Sequence, residues 1–300
     1  MFSYTAYGLG IHSFLPLPEL VCKEKTADIV VRPGRVNGVA LEPVDKGRRF
    51  GVSSEGACYS FEGVGTFMVR GGHEVVVDSI PGTDKRALRL CLLGPVLALI
   101  LHQRRQLILH ASAVSVGGKA VVFLGGQGWG KSTIAAALHL RGHDMLADDI
   151  TTIQMDSACP MVVPAFPQFK LWPDSLLALG ATPETLPVLH PDLHKRGFHL
   201  VSGFARNPAP LKHIYVLAAG RNLQIQSLSS QEAFVELIRH SYAARFGSQL
   251  LHATGIATHF RQCAHLVQNT RVYRFGRPAS LSVLHEHASI LLKDLSRDSQ

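Results

Sequence analysis

The sequence contains no C-x-x-C pair, no H-E-x-x-H and no extended basic stripe interleaved with aromatic residues, and each absence weakens the case for a class of function. The five cysteines, Cys22, Cys58, Cys91, Cys159 and Cys263, are odd in number and widely spaced. That pattern argues against both a disulfide framework and a structural zinc site, and a reducing cytoplasm is the simplest setting. Sixteen histidines are many, yet none falls in a recognised metal-ligand spacing. A formal charge of +8 would admit nucleic acid, but Lys and Arg are scattered, in isolated tight pairs such as those of "KGRRF" (46–50) and "HQRRQ" (102–106). A basic solvated surface, or an acidic partner such as a nucleotide, explains that charge better, so no nucleic-acid partner is expected. The first residues lack a charged segment followed by an apolar core, which argues against a secretory signal. The most apolar run, Leu90–Leu101, holds about twelve residues and includes Pro95, short of the roughly 20 that a spanning helix needs. It reads as a buried helix, and no membrane span is expected.

What is present is enough apolar material for a substantial core: 46% of the 300 residues are hydrophobic and only 17% charged. Residues 1–82 hold short extended candidates, "DIVVRPGRV", "ACYSFEG", "GTFMVRGG" and "HEVVVDSIPG", punctuated by Gly and Pro at strand-length intervals. This predicts a β-rich N-terminal unit. Residues 83–106 change period and predict a connecting helix, with Thr83 or Asp84 as its N-cap and its end near Gln103. From 107 to 296 the order "LILHASAVSV", "AVVFLG", glycine loop, "STIAAALHL", "HDMLADDITTIQ" predicts strand, strand, helix and strand, an α/β sheet with chemistry at its strand ends. Beyond Cys159 come a proline-bearing connection, a His/Pro-rich loop, a buried strand "LKHIYVLAAG", a helix "SSQEAFVELIRHSYAARF", a late strand "RVYRFGR" and a disordered tail "RDSQ".

Gly125, Gly130, Lys131 and Ser132 satisfy G-x-x-x-x-G-K-[ST] between a buried strand and an amphipathic helix. Glycines at 125, 126, 128 and 130 let the backbone turn its N–H groups inward, and the helix N-terminus adds a positive dipole end. The segment Gly125, Gly126, Gln127, Gly128, Trp129, Gly130, Lys131, Ser132, Thr133 is therefore expected to bind ATP, with Lys131 on the β/γ-phosphates and Ser132 on Mg2+. Trp129 occupies a variable position, where packing is the ordinary expectation and stacking on a base or covering the loop the alternatives. The glycine order excludes a G-x-G-x-x-G dinucleotide site, and H-R-D and D-F-G are absent, which disfavours a eukaryotic-type protein kinase.

Asp148 and Asp149 stand 17 and 18 residues after Lys131, at the end of an apolar strand that would return to the loop. Neighbouring strand residues face opposite sides, so the two cannot share one role. One is expected to hold Mg2+ and the other to accept a proton from an attacking hydroxyl. His110 ends the apolar run before the loop, where a lone histidine is more often structural than catalytic. Lys170 and the pair Lys195/Arg196 are candidates for transition-state charge or acceptor binding, set against solvated loop charge.

With these residues in place, "LHASAV", "GGQGWGKS" and "RGHDMLADDI" resemble, in order and separation, three motifs of the catalytic domain of bacterial HPr serine kinase/phosphorylase. That family belongs to the P-loop group with a phosphoenolpyruvate-carboxykinase-like fold. The resemblance covers roughly residues 107–156 and implies ATP-dependent phosphorylation of a serine, with Asp149 as general base, Lys131 and Ser132 on phosphates and Mg2+, and His110 in the active site; Asp148 is then expected to organise Mg2+ with Ser132. No I-E-V-R-G-like segment comes after it, and the first 80-odd residues do not read as the usual regulatory domain. The chain is more similar to the stand-alone HPr-kinase-like proteins, including lasso-peptide precursor kinases, which implies a kinase without phosphorylase activity. Its acceptor would be a serine of a protein or precursor peptide, and a homo-oligomer is left open. A nucleotide-hydrolysing switch protein and a small-metabolite hydroxyl kinase stand as alternatives.

Overall fold

The computed structural model describes residues 1–155, 159–190, 193–243 and 256–297. Its first half is one sheet of nine strands, β1 (Phe2–Ala6), β2 (Leu9–Ser13), β3 (Val21–Cys22), β4 (Ile29–Pro33), β5 (Glu42–Asp45), β6 (Arg48–Ser53), β7 (Gly56–Phe61), β8 (Gly65–Arg70) and β9 (Glu74–Ser79). They lie in the order β3-β1-β2-β4-β9-β8-β7-β6-β5. Hairpins dominate; only β2–β4 and β4–β9 are parallel. The β8–β9 turn places Gly71 and Gly72 at φ +56 and +71, a left-handed backbone that Gly adopts without Cβ strain.

Asp84 caps the next helix, its side chain accepting from the Arg86 N–H. Helix α1 (Lys85–Cys91) runs through a π-type stretch at Leu92–Val96 into α2 (Leu97–Gln103). The break falls at Gly94 and Pro95, because proline supplies no N–H and its ring clashes with the carbonyl one turn back. Lys85–Gln103 is long and apolar enough to cross a membrane by length and composition alone. Here Leu97, Ala98, Leu99, Ile100 and Leu101 are buried inside the protein.

The second half contains β10 (Leu107–Leu109), β11 (Ser112–Val116), β12 (Lys119–Leu124), α3 (Lys131–His139), β13 (Asp144–Ala147), β14 (Thr151–Gln154), β15 (Met161–Val163), β16 (Gln168–Leu171), α4 (Pro173–Ala178), β17 (Val188–His190) and β18 (Leu193–His199). It closes with β19 (Ala209–Ala219), β20 (Gln224–Ser227), α5 (Ser230–Arg239), α6 (Ile256–Asn269), β21 (Arg271–Arg277) and α7 (Leu284–Arg297). The large sheet runs β10-β14-β15-β19-β12-β11-β13, with β21 beside β19 and β20 beside β21; β16-β18-β17 form a small separate sheet. The chain is thus mixed α/β with mixed sheets.

Several local expectations are corrected. "LILHASAVSV" is not one strand: it breaks at His110–Ala111, where β10 leaves to pair with β14 and β11 turns to β12 and β13. "HDMLADDITTIQ" likewise splits, because Asp149 takes φ +71 and cannot continue a strand. The His/Pro-rich loop, residues 182–200, contains the two paired strands β17 and β18. Helix α5 begins on a Ser229/Glu232 capping box and stops at Arg239; residues 244–246 of the expected helix and 298–300 of the expected tail lie outside the described residues.

A single buried cluster runs from Tyr4 and Phe67 of the first sheet through Leu99 and Ile100 to Val122 and Ile214 of the second. The first sheet therefore shares its core with the second half. Its β1–β2 turn also reaches across: Tyr7 N donates to the Pro164 carbonyl (3.0 Å), and the Tyr7 hydroxyl donates to the Ile150 carbonyl (3.2 Å).

Candidate active site

β12, β19 and β21 are parallel neighbours, so their carboxyl ends open on one side of the sheet. The chain leaves β12 through Gly125–Gly130 and enters α3 at Lys131, the strand, loop and helix order that the glycine motif requires. Gly130, the N-cap of α3, has φ +77. A cavity of about 500 Å³ opens there, lined by Gln127 to Thr133, His110, Asp148, Asp149, Lys170, Trp172, Asp174, Lys195, Ala218, Ala219 and Arg277 among others. A crevice beyond the carboxyl ends of parallel strands is the usual ligand position in such sheets.

Lys131 is 7% exposed, and its Nζ donates to the carbonyls of Gly125 (2.9 Å) and Gly126 (3.1 Å). The ammonium is thus folded onto its own loop. Gly125 and Gly126 meet it through these carbonyls and do not line the cavity. The Thr133 hydroxyl lies 2.9 Å from the Ser175 hydroxyl, which ties α3 to α4. Trp129 is not packed: 45% exposed, it folds back over Gly126, where an added Cβ would come within 2.9 Å of its indole Nε1.

The two aspartates lie in a bend after β13, and their roles separate through different contacts from those that strand alternation implied. Asp148 is 3% exposed; its Oδ1 accepts from the Ser112 hydroxyl (2.6 Å) and its Oδ2 from the Lys170 backbone N–H (2.8 Å). It joins β11, the bend and β16, while its carboxylate lines the cavity beside Ser132. Asp149 instead presents its carboxylate to side chains. Oδ2 pairs with Lys170 Nζ at 2.9 Å, and Oδ1 lies 3.1 Å from His110 Nδ1. The same Nδ1 is 3.0 Å from the Asp149 carbonyl, an arrangement that assigns the proton to Nδ1. Burial alone would raise the Asp149 carboxyl; the Lys170 ammonium, followed by His110, outweighs it and holds the group well below the usual carboxylate range. The His110 backbone N–H donates to the His240 carbonyl (2.8 Å), and its ring meets Tyr242 edge to face at 6.2 Å.

Lys170 is not the solvated loop charge weighed against its active role: it is 8% exposed on β16. Arg196 does not reach the cavity; its Nη1 donates to the Leu186 carbonyl (3.4 Å). Strand alternation in β18 turns Lys195 to the cavity in its place, 5.7 Å above the Trp172 ring. Three contributors had no signal in the local sequence. Ser112, Tyr7 and Arg277 reach the site only through pairings 36 to 148 residues long.

Mg2+ takes few protein ligands and completes its shell with water and phosphate oxygens. The Ser132 hydroxyl and an aspartate on the same cavity are a donor set of that kind, so the residues present fit the ion.

No protein family's sequence profile matches the chain, and no curated protein matches it. Among solved structures it is similar to the Hpr(Ser) kinase/phosphatase from Coxiella burnetii, at 11% identity and a TM-score of 0.36, over 64% of this chain and 99% of that one.

Proposed function

We propose that the chain is an ATP-dependent kinase that phosphorylates a serine hydroxyl of a protein or precursor peptide. The observation that carries this reading is the ionised Asp149 carboxylate, clamped by Lys170 and His110, on the same cavity as the glycine loop and Lys131. The loop N–H groups and the α3 N-terminus take the phosphates, and Lys131 exchanges two neutral carbonyls for phosphate oxygens. Mg2+, held by Ser132 and carried by the nucleotide, would neutralise part of the phosphate charge.

The acceptor hydroxyl approaches from the wall of Trp172, Asp174 and Lys195. Its oxygen bonds to the terminal phosphorus as the bond to the ADP oxygen breaks, and its proton passes to Asp149. A carboxylate held this low is a weak base at rest, so proton transfer comes late, which suits a loose phosphoryl-transfer transition state. Lys170, within reach of both Asp149 and the cavity, is placed to share its charge with the group in flight.

Asp149→Asn is expected to keep nucleotide binding and to lower transfer to serine peptides by roughly 10²- to 10⁴-fold, the usual contribution of a general base. Transfer from γ-labelled ATP at near wild-type rate would remove Asp149 from that role. Label found only in free phosphate would favour a nucleotide-hydrolysing switch, and label in a non-protein fraction a small-metabolite kinase.

A further inference from the structure

Arg277 is the last residue of β21, opposite Ala219 in the parallel β19–β21 register, so it leaves the sheet at the end where the glycine loop lies. Its guanidinium rests on that loop. Nη2 donates to the Trp129 carbonyl, and a Cβ added to Gly130 would sit 2.7 Å from the same nitrogen. Nη1 donates to the Pro278 carbonyl (3.4 Å), while Nε is shielded from solvent and has no hydrogen-bond partner. Among the described residues no carboxylate pairs with it. Asp148 and Asp149, the inner acids of the cavity, are bound to Ser112, Lys170 and His110.

A half-buried cation whose partners are neutral carbonyls loses hydration without gaining a counter-charge, and burial accordingly pulls the Arg277 pKa down. Half-buried Arg89 and Arg70 have an anion, Glu19 at 2.7 Å and Glu74 at 3.1 Å, whereas Arg104, Arg141 and Arg196 donate to backbone carbonyls, but none of these five lines the cavity. Arg277 lines the cavity and has no anion among the described residues. A planar fork of donors suits phosphate oxygens better than an isolated carbonyl.

We propose that Arg277 is the counter-cation of the ligand's phosphate chain: it braces the glycine loop through the Trp129 carbonyl in the free protein and pairs with polyphosphate when the loop is filled. This rests on the nucleotide reading of the loop, and it adds a cation from the far end of the chain to Lys131.

The test is equilibrium binding of a non-hydrolysable MgATP analogue and of inorganic tripolyphosphate to the wild type, Arg277→Gln and Arg277→Lys, with thermal melts of each. A lost charge-assisted pair corresponds to roughly 10- to 150-fold. Arg277→Gln is expected to weaken both ligands by that order and to flatten the salt dependence of binding, while Arg277→Lys recovers most of the affinity. Wild-type affinity in Arg277→Gln overturns the proposal and leaves the nucleotide reading standing. Equal losses in both variants, with lowered melting temperatures, overturn it in favour of a brace alone. A wild-type protein that binds neither ligand overturns the proposal and the nucleotide reading together.

Discussion

Each of the two large sheets contains two parallel strand pairs, yet the candidate site lies at the strand ends of the second. In the first sheet β2–β4 and β4–β9 are parallel; in the second, β12–β19 and β19–β21. The connection leaving the strand makes the difference. The excursion from β4 to β9 is made of hairpins, which satisfy their own backbone groups and present no free helix end. β12 instead runs through glycines directly into α3, whose first N–H groups have no partner within the helix. Strand direction alone therefore does not make a ligand crevice. The free helix end at the carboxyl edge does, and cations from β16, β18 and β21 gather around it.

The largest expected effect would break the separation of the two regions itself. Phe67 is 1% exposed in the first sheet and belongs to the cluster that extends into the second. Phe67→Ala is expected to cost about 3–5 kcal/mol and to lower a single unfolding transition in which both halves melt together. Two resolved transitions in calorimetry, with only the first shifted, would show that the sheets have independent cores.

Lys170→Met sharpens the contrast on the side of the site. Because Asp149 is held below the ordinary carboxylate range, its contribution to stability is complete above that range and is lost only as pH falls through the depressed value. Without the ammonium, burial is opposed by His110 alone and the loss begins at higher pH. The acid limb of the transfer-rate profile is expected to move up in pH with a reduced maximum rate; an unmoved limb would show that Lys170 does not control the carboxyl.

Tyr7→Phe has the smallest expected effect and probes the seam. It removes the bond to the Ile150 carbonyl, one residue from Asp149. Stability should fall by about 1 kcal/mol, with a decrease in kcat and little change in the Michaelis constant for ATP. Equal effects on both constants would mean that the turn supports the nucleotide rather than the carboxylate.

Legibility in the sequence tracks the range of the interaction. Lys131 and Ser132 are readable because a loop and the helix after it are contiguous, and the Asp148–Asp149 spacing encodes one return of the chain. The break at His110 is invisible, since the run is apolar on both sides and only its pairings differ. Reading 182–200 as loop hides the alternation that favours Lys195 over Arg196. Arg277 looks like an ordinary strand end, because what sets it apart, a place on the cavity with no counter-ion among the described residues, becomes visible only once the surrounding carboxylates are placed.

The left-handed backbone at Asp149 also determines which substitution is a fair control. At φ +71 asparagine, like aspartate, is tolerated, whereas alanine brings the Cβ penalty of that region. Asparagine removes the charge and leaves the bend. Alanine changes the charge and the geometry of the chain at once, so an inactive Asp149→Ala protein would say little about chemistry, and the amide is the informative replacement at this position.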